Sequence, residues 1–236
     1  MKITSSQIIT IIASIIGSGA LNTIISHILY NKKLKKELKI KGNNMIADKI
    51  QASLSAFRNL ELRLTVNEKL GIEELIKQKD FSMLNDDPIY PEIFNDWKSY
   101  DKFLNAVHNC RTQHEKNLPS KIALNLIFIY KYIFELKLFM GKNGNENMLP
   151  LFGTIFIVDL QKWQKNADSL VIKEINNCNY KLDDHNSRRW KRLRQKIVEK
   201  QMKETVLYAI QNDCYKTYKK ETVDWARHMI YSQQNH

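Results

Sequence analysis

The sequence predicts an all-α protein in which a single N-terminal transmembrane helix is followed by a cytosolic multi-helix bundle. Three observations lead to this prediction. The segment from Ile3 to Tyr30 is apolar and contains no acidic residue, lysine or arginine. A cluster of lysines comes directly after it. Residues that interrupt helices are scarce, since the 236 residues include only seven glycines and four prolines.

The apolar segment is long enough to cross a bilayer as a helix, because a hydrocarbon core about 30 Å thick needs roughly 20 helical residues. Residues 1–30 are therefore the predicted transmembrane helix. On its C-terminal side follow Lys32, Lys33, Lys35, Lys36, Lys39 and Lys41, and only Lys2 precedes it. The positively charged flank stays in the cytoplasm. We expect a single-pass protein of the cell membrane, with its N-terminus outside and its C-terminus cytoplasmic.

Polar residues recur along this segment at a constant spacing of four: Ser6, Thr10, Ser14, Ser18, Asn22 and Ser26. In lipid, small and hydroxylated residues let helices approach closely and bond across the contact, for about 0.6 to 2 kcal/mol each. We therefore expect a homo-oligomer in which Ser14, Ser18, Asn22 and Ser26 pack the helices or line a pore. Alternatively, these groups bond to their own helix and imply no partner.

Residues 31–84 are predicted to form a juxtamembrane stem and a long helix. The lysine-rich residues 31–41 continue the first helix, and Gly42-Asn43-Asn44 predicts a break or bend. Beyond it, the long helix is expected to reach Leu84 with a loosening at Gly71. Its interaction stripe has the a/d spacing of a helix packed against another helix and consists of Ile46, Ile50, Ser53, Phe57, Leu60 and Leu64. The stripe packs either on its own domain or on neighbouring copies.

Residues 85–236 are predicted to form the cytosolic bundle. Loop and helix-start signals and apolar periodicity predict helices over 91–114, 120–140, 149–176 and 184–232. The second of these is apolar almost all round. Its charged residues Lys131, Glu135 and Lys137 would be costly at bilayer depth, so we expect it to be the buried central helix of the bundle.

The beginning of the last predicted helix is the most basic stretch of the chain, because residues 188–203 include eight basic residues and one acidic residue. Trp190, Leu193 and Ile197 follow a spacing that predicts a narrow packing stripe. Clustered arginines suit bidentate contacts to phosphate. The predicted ligand-binding residues are Arg188, Arg189, Lys191, Arg192, Arg194 and Lys196. The alternative is a solvated helix face.

The net charge of +12 indicates an anionic partner. We expect membrane lipid and a short nucleic acid or nucleotide. The three cysteines form no CxxC pair, so reduced thiols are expected rather than disulfides or a zinc site. We predict no cofactor, no metal site and no catalytic residue, and therefore no enzyme.

His108, Arg111 and His114 lie three apart on one predicted helix. They loosely resemble the Arg and His of all-helical HEPN ribonucleases. That family places more residues between its Arg and His than the two that Arg111 and His114 enclose here. A degenerate HEPN-like nuclease is therefore only the third functional interpretation.

The layout of the whole chain, one span joined to a basic helical domain, resembles membrane effectors of bacterial anti-phage defence systems. It is most similar to the channel-forming subunit of Hailong-type systems, in which a companion nucleotidyltransferase makes a DNA oligomer that holds the channel shut. The resemblance implies an oligomeric channel gated by a phosphate-rich ligand. It transfers no site residue, because no motif matches residue by residue. The second interpretation is a non-conducting scaffold whose basic helix adheres to anionic lipid or a partner.

Overall fold

A computed structural model describes residues 19–66, 69–79, 89–175 and 187–233. Within these ranges the chain forms helices and no β-strand, which confirms the predicted all-α class. The α-helices are α1 (Gly19–Leu62), α2 (Lys69–Gln78), α3 (Trp97–His114), α4 (Ser120–Asn143), α5 (Leu149–Ile175), α6 (Arg188–Lys203), α7 (Val206–Asn212) and α8 (Lys220–Ser232). Short 3-10 helices cover Glu92–Phe94, Glu115–Asn117 and Glu146–Met148. The chain divides into two units, Met1–Asp48 and Lys49–His236.

In the described ranges, no helix is both long enough and apolar enough to cross a bilayer. This finding does not cover most of the predicted span, because residues 3–18 are outside the described part of the chain. Ser14 and Ser18 are among them. Asn22 and Ser26 lie in α1, but their side chains are outside the description.

Helix α1 passes through Gly42, Asn43 and Asn44 without interruption, so of the predicted break or bend the break does not occur. One glycine costs a helix only about 1 kcal/mol relative to alanine, which does not interrupt a helix of 44 residues. The predicted long helix instead ends at Leu62, and Gly71 lies inside the separate helix α2. The expected end at Leu84 is outside the described residues.

The end of α1 is held by glutamines of α5. Gln161 donates from Nε2 to the Leu64 carbonyl oxygen at 2.7 Å, and Gln164 donates to the Glu61 carbonyl oxygen at 3.2 Å. The Leu64 carbonyl lies just beyond the helix end and gains a donor from Gln161, and the Glu61 carbonyl, which also accepts from the Leu64 N–H at 3.0 Å, gains a second donor from Gln164. The tertiary contact therefore makes it favourable for α1 to end here.

The interaction stripe is buried from Ile50 to Leu64 against the chain itself. The Phe57 ring meets the Trp163 ring of α5 edge to face, with centroids 5.7 Å apart. Ser53 lies within hydrogen-bond distance of His114 of α3. Of the two alternatives, packing on its own domain or on neighbouring copies, this part of the stripe therefore follows the first.

Helices α4 and α5 form the centre of the second unit, as predicted for the central helix. Buried residues occur all along α4, and the Tyr100 hydroxyl of α3 donates to the Ile133 carbonyl oxygen at 2.8 Å.

Helix α5 approaches the segment around Tyr90 very closely. A Cβ atom at Gly153 would lie 2.5 Å from the Tyr90 Cβ, so only glycine fits there.

Two further predicted helices differ from the structure. Helix α3 begins at Trp97 rather than residue 91, because Asp96 caps it and accepts from the Ser99 N–H. The predicted last helix is three helices. Thr205 caps α7, and Asp213 ends it in the left-handed conformation with φ 53°. Aspartate tolerates that conformation better than most residues, so these breaks need neither glycine nor proline.

Candidate anion-binding cleft

The packing face of α6 differs from the predicted stripe. Leu193 is 47% exposed, whereas Val198 and Met202 are buried. Trp190 and Ile197 are half-buried. Helix α6 packs against α4 and α7, and those neighbours select the inward face. The prediction that Leu193 packs inward is therefore wrong.

Exposed basic residues recur every four positions along α6: Arg188, Arg192, Lys196 and Lys200. Residues at this spacing share a helix face, and like charges there destabilise an isolated helix by about 0.2–0.5 kcal/mol per pair. Helix stability therefore does not explain the row. The Arg189 side chain lies outside the described residues.

Beside this row, a cleft of about 310 Å³ opens between α6 and helices α3 and α4. Its lining residues are Arg111, Ile127, Lys131, Lys191, Arg194, Gln195, Val198 and Glu199. Two of the predicted ligand-binding residues, Lys191 and Arg194, thus meet two basic residues from other helices, Arg111 and Lys131. The other predicted residues with described side chains, Arg188, Arg192 and Lys196, are exposed on α6 and do not line the cleft.

A single carboxylate orients both arginines of the cleft. The Arg194 Nη1 lies 2.7 Å from Glu115 Oε1, and the Arg111 Nε lies 3.2 Å from Glu115 Oε2. Glu115 is largely buried, with 16% of its side chain exposed. Each guanidinium has five N–H donors, so donors remain for a ligand. With Glu115 and Glu199 included, cationic groups outnumber carboxylates by two.

Aromatic side chains adjoin the arginines. The Arg111 guanidinium lies over the Tyr130 ring, 4.6 Å from its centroid, which favours a fixed orientation through a cation–π contact. The Tyr130 ring in turn stacks with Phe134 at 6.5 Å. The sequence does not identify Arg111, Glu115 and Lys131 as parts of one site. The only local signal was the i, i+4 spacing of Arg111 and Glu115.

The suggested nuclease residues are engaged with other side chains. His114 Nδ1 lies 3.1 Å from the Ser53 hydroxyl oxygen of α1. Arg111 pairs with Glu115, and the exposed His108 ring lies 5.7 Å from the Tyr130 ring. Each residue therefore has a packing or pairing role that does not depend on catalysis.

Among the described residues, no group of three His, Cys, Asp or Glu side chains is arranged to hold a metal ion. Cys110 and Cys214 are free thiols, and burial raises the pKa of Cys110 to about 11. Cys110 is therefore protonated at neutral pH. The third cysteine, Cys178, lies outside the described part of the chain.

A buried carboxylate, Asp159 of α5, joins three parts of the bundle. It accepts from the Tyr132 hydroxyl at 2.9 Å and from the Tyr218 hydroxyl at 3.3 Å. It also accepts from the backbone N–H groups of Val206 and Leu207, at 2.9 and 3.3 Å. Burial raises its pKa to about 6, and these hydrogen bonds act in the opposite direction. Asp159 is therefore ionised at neutral pH and holds the start of α7 on α4 and α5.

The buried carboxyl of Glu61 is expected to make stability depend on pH. Glu61 is 4% exposed, and burial, followed by the charge of Asp168, raises its pKa from 4.5 to about 7. Between these values the folded state binds more protons than the unfolded state, so stability falls as pH rises through this window. The loss is on the order of 3 kcal/mol.

We expect Glu61→Gln to unfold at higher urea concentration than the unmodified protein at pH 8 and to lose most of this pH dependence. Urea unfolding at pH 5 and pH 8 measures both effects. Glu74→Gln is the control, because Glu74 is exposed on α2. Parallel pH profiles for Glu61→Gln and the unmodified protein would contradict the assignment.

Comparison of this chain with protein-family models, with curated proteins and with solved structures gives no match.

Proposed function

We propose that the chain is an oligomeric, membrane-anchored helical effector that binds a phosphate-rich ligand, a short nucleic acid or nucleotide, and thereby controls membrane permeability. The observation that carries the ligand part of this proposal is the convergence of Arg111, Lys131, Lys191 and Arg194 on one cleft. Oriented guanidinium groups form paired hydrogen bonds to phosphate oxygens. The exposed row on α6 extends the positive surface for a longer anionic chain.

The membrane and oligomer parts of the proposal are supported by the sequence. The apolar residues 3–30 and the lysines after them favour a single span with a cytoplasmic C-terminus. The polar row through Ser14, Ser18, Asn22 and Ser26 favours self-association. A ligand bound by the cytosolic unit would then act on a pore formed by several copies.

The second candidate is a scaffold that adheres to anionic lipid through α6. The exposed row Arg188, Arg192, Lys196 and Lys200 favours it, because each basic residue near an anionic surface contributes about 1 kcal/mol. A flat lipid surface does not account for the concave cleft or for the two arginines oriented by Glu115. Conductance across a planar bilayer separates a channel from a scaffold. Nuclease activity that is lost in His114→Ala would support the third candidate.

Binding of a short single-stranded DNA by the detergent-purified full chain tests the ligand part. We expect an affinity that falls steeply with salt, with a log–log slope near −3 for about four or five phosphate contacts on a single strand. Fluorescence anisotropy of a labelled oligonucleotide measures it. Binding to anionic vesicles without oligonucleotide binding at low salt would instead favour the scaffold.

The orientation of the chain tests the membrane part. We expect the protein to fractionate with membranes, and a C-terminal tag to be protected from protease in right-side-out vesicles, because the flanking lysines follow residue 30. Detergent permeabilisation is the control and should expose the tag. Cleavage of the tag in intact vesicles would reject this topology.

A further inference from the structure

An exposed aromatic ring continues the face of α4 that borders the anion-binding cleft. Ile127 and Lys131 of this face line the cleft, and Phe134 follows Lys131 by three residues, which places it on the same side of the helix. The Phe134 side chain is 44% exposed, whereas every other phenylalanine in the described ranges is buried. A single exposed apolar residue is ordinary at a protein surface, so the neighbours of Phe134 decide what it can do.

Phe134 belongs to a series of flat groups that begins in the cleft. Arg111, which lines the cleft, holds its guanidinium over the Tyr130 ring, 4.6 Å from the centroid. The Tyr130 and Phe134 rings are nearly parallel, with 21° between their planes and 6.5 Å between their centroids. The series therefore leads from a guanidinium that suits phosphate to a ring with a solvent-exposed surface.

A single strand of nucleic acid matches both ends of this series. Every base has a π-face that stacks on aromatic side chains, and proteins bind single strands by combining such rings with a positively charged groove. A duplex keeps its bases stacked on one another, so its phosphates would meet the cleft without covering the ring. A lipid surface matches the cations and an apolar ring, but it does not explain two rings that lie nearly parallel beside an arginine.

We propose that Phe134 stacks on a base of a single-stranded nucleic acid whose phosphates bind in the cleft. The inference rests on the proposed phosphate binding and narrows the ligand to strands with unpaired bases. Tyr130 restrains the Phe134 ring, and Arg111 joins this ring pair to the cleft. Base and phosphate are thus bound by side chains that touch one another.

A labelled oligothymidylate and a labelled abasic strand of the same length separate the two contributions, because they carry the same phosphates. By fluorescence anisotropy of the full chain in detergent, we expect the abasic strand to bind about tenfold more weakly. The log–log salt slope should be the same for both strands, since it reports phosphate contacts. Equal affinities would overturn base stacking and leave phosphate binding intact, whereas absence of binding by both strands would overturn both proposals.

The variant Phe134→Ala tests the assigned ring. We expect it to bind the oligothymidylate about tenfold more weakly than the unmodified protein and the abasic strand equally well. The matched control is Leu138→Ala, because Leu138 is 47% exposed one turn further along α4 and carries no ring. This control should bind both strands as the unmodified protein does, and Phe134→Tyr, which keeps the ring, should retain the preference for bases.

Two results with these variants would refute the role of Phe134. One is an equal loss of affinity for both strands in Phe134→Ala, which would place the effect on phosphate binding. The other is unchanged strand binding together with weaker binding of phosphatidylserine vesicles by both Phe134→Ala and Leu138→Ala, which would assign this face of α4 to a lipid surface. If Phe134→Ala does not fold, the two strands on the unmodified protein still decide whether bases contribute.

Discussion

The double variant Lys131→Glu, Lys191→Glu is expected to bind short single-stranded DNA on the order of 100-fold more weakly than the unmodified protein at low salt. Each lysine lines the cleft, and a hydrogen bond to a charged group contributes about 1.5–3 kcal/mol. Loss of two phosphate contacts should also reduce the log–log salt slope by about 1.4. Anisotropy titrations of the full chain at several salt concentrations measure both quantities.

The matched control is Lys98→Glu, Lys102→Glu, which makes the same change in net charge at exposed positions of α3 that do not line the cleft. We expect it to lose less than about fivefold in affinity, because neither lysine lines the cleft and its replacement removes no phosphate contact there. An equal loss in both double variants would mean that net charge alone attracts the oligonucleotide. Unchanged binding in the cleft variant would place the ligand elsewhere.

Asp159→Ala is expected to lower the free energy of unfolding by about 4 kcal/mol or more. The change removes the common acceptor of two tyrosine hydroxyls and two backbone N–H groups. Each buried donor left without an acceptor costs about 1–3 kcal/mol. Urea unfolding of the full chain measures the loss, and the secondary-structure signal before the transition shows whether the variant folds.

Tyr218→Phe is the graded control for this prediction. It removes only one donor, at 3.3 Å from Asp159 Oδ1, and should cost about 1 kcal/mol. A loss below about 1 kcal/mol in Asp159→Ala would show that other groups replace the carboxylate. That outcome would contradict the role of Asp159 in holding α7 to the bundle.

The sequence was most informative where local signals agree. Pro119 and Ser120 mark the start of α4, and strong apolar periodicity follows, so α4 and α5 were predicted within a few residues of their bounds. The break after Leu62 was missed. Its carbonyl partners, Gln161 and Gln164, lie about a hundred residues away along the chain, and no local pattern contains that information.

For the candidate cleft, too, some properties follow from the sequence and others only from the tertiary structure. By itself, the sequence determined that residues 188–203 are helical and strongly basic, because composition and helix propensity are local properties. Only the tertiary structure decided which side of that helix faces inward, since the surfaces of α4 and α7 bury Val198 and leave Leu193 exposed. It also brought Arg111 and Lys131 to the same cleft. Glu115 and Arg194 are 79 residues apart, and packing of separate helices, rather than spacing along one helix, makes them neighbours.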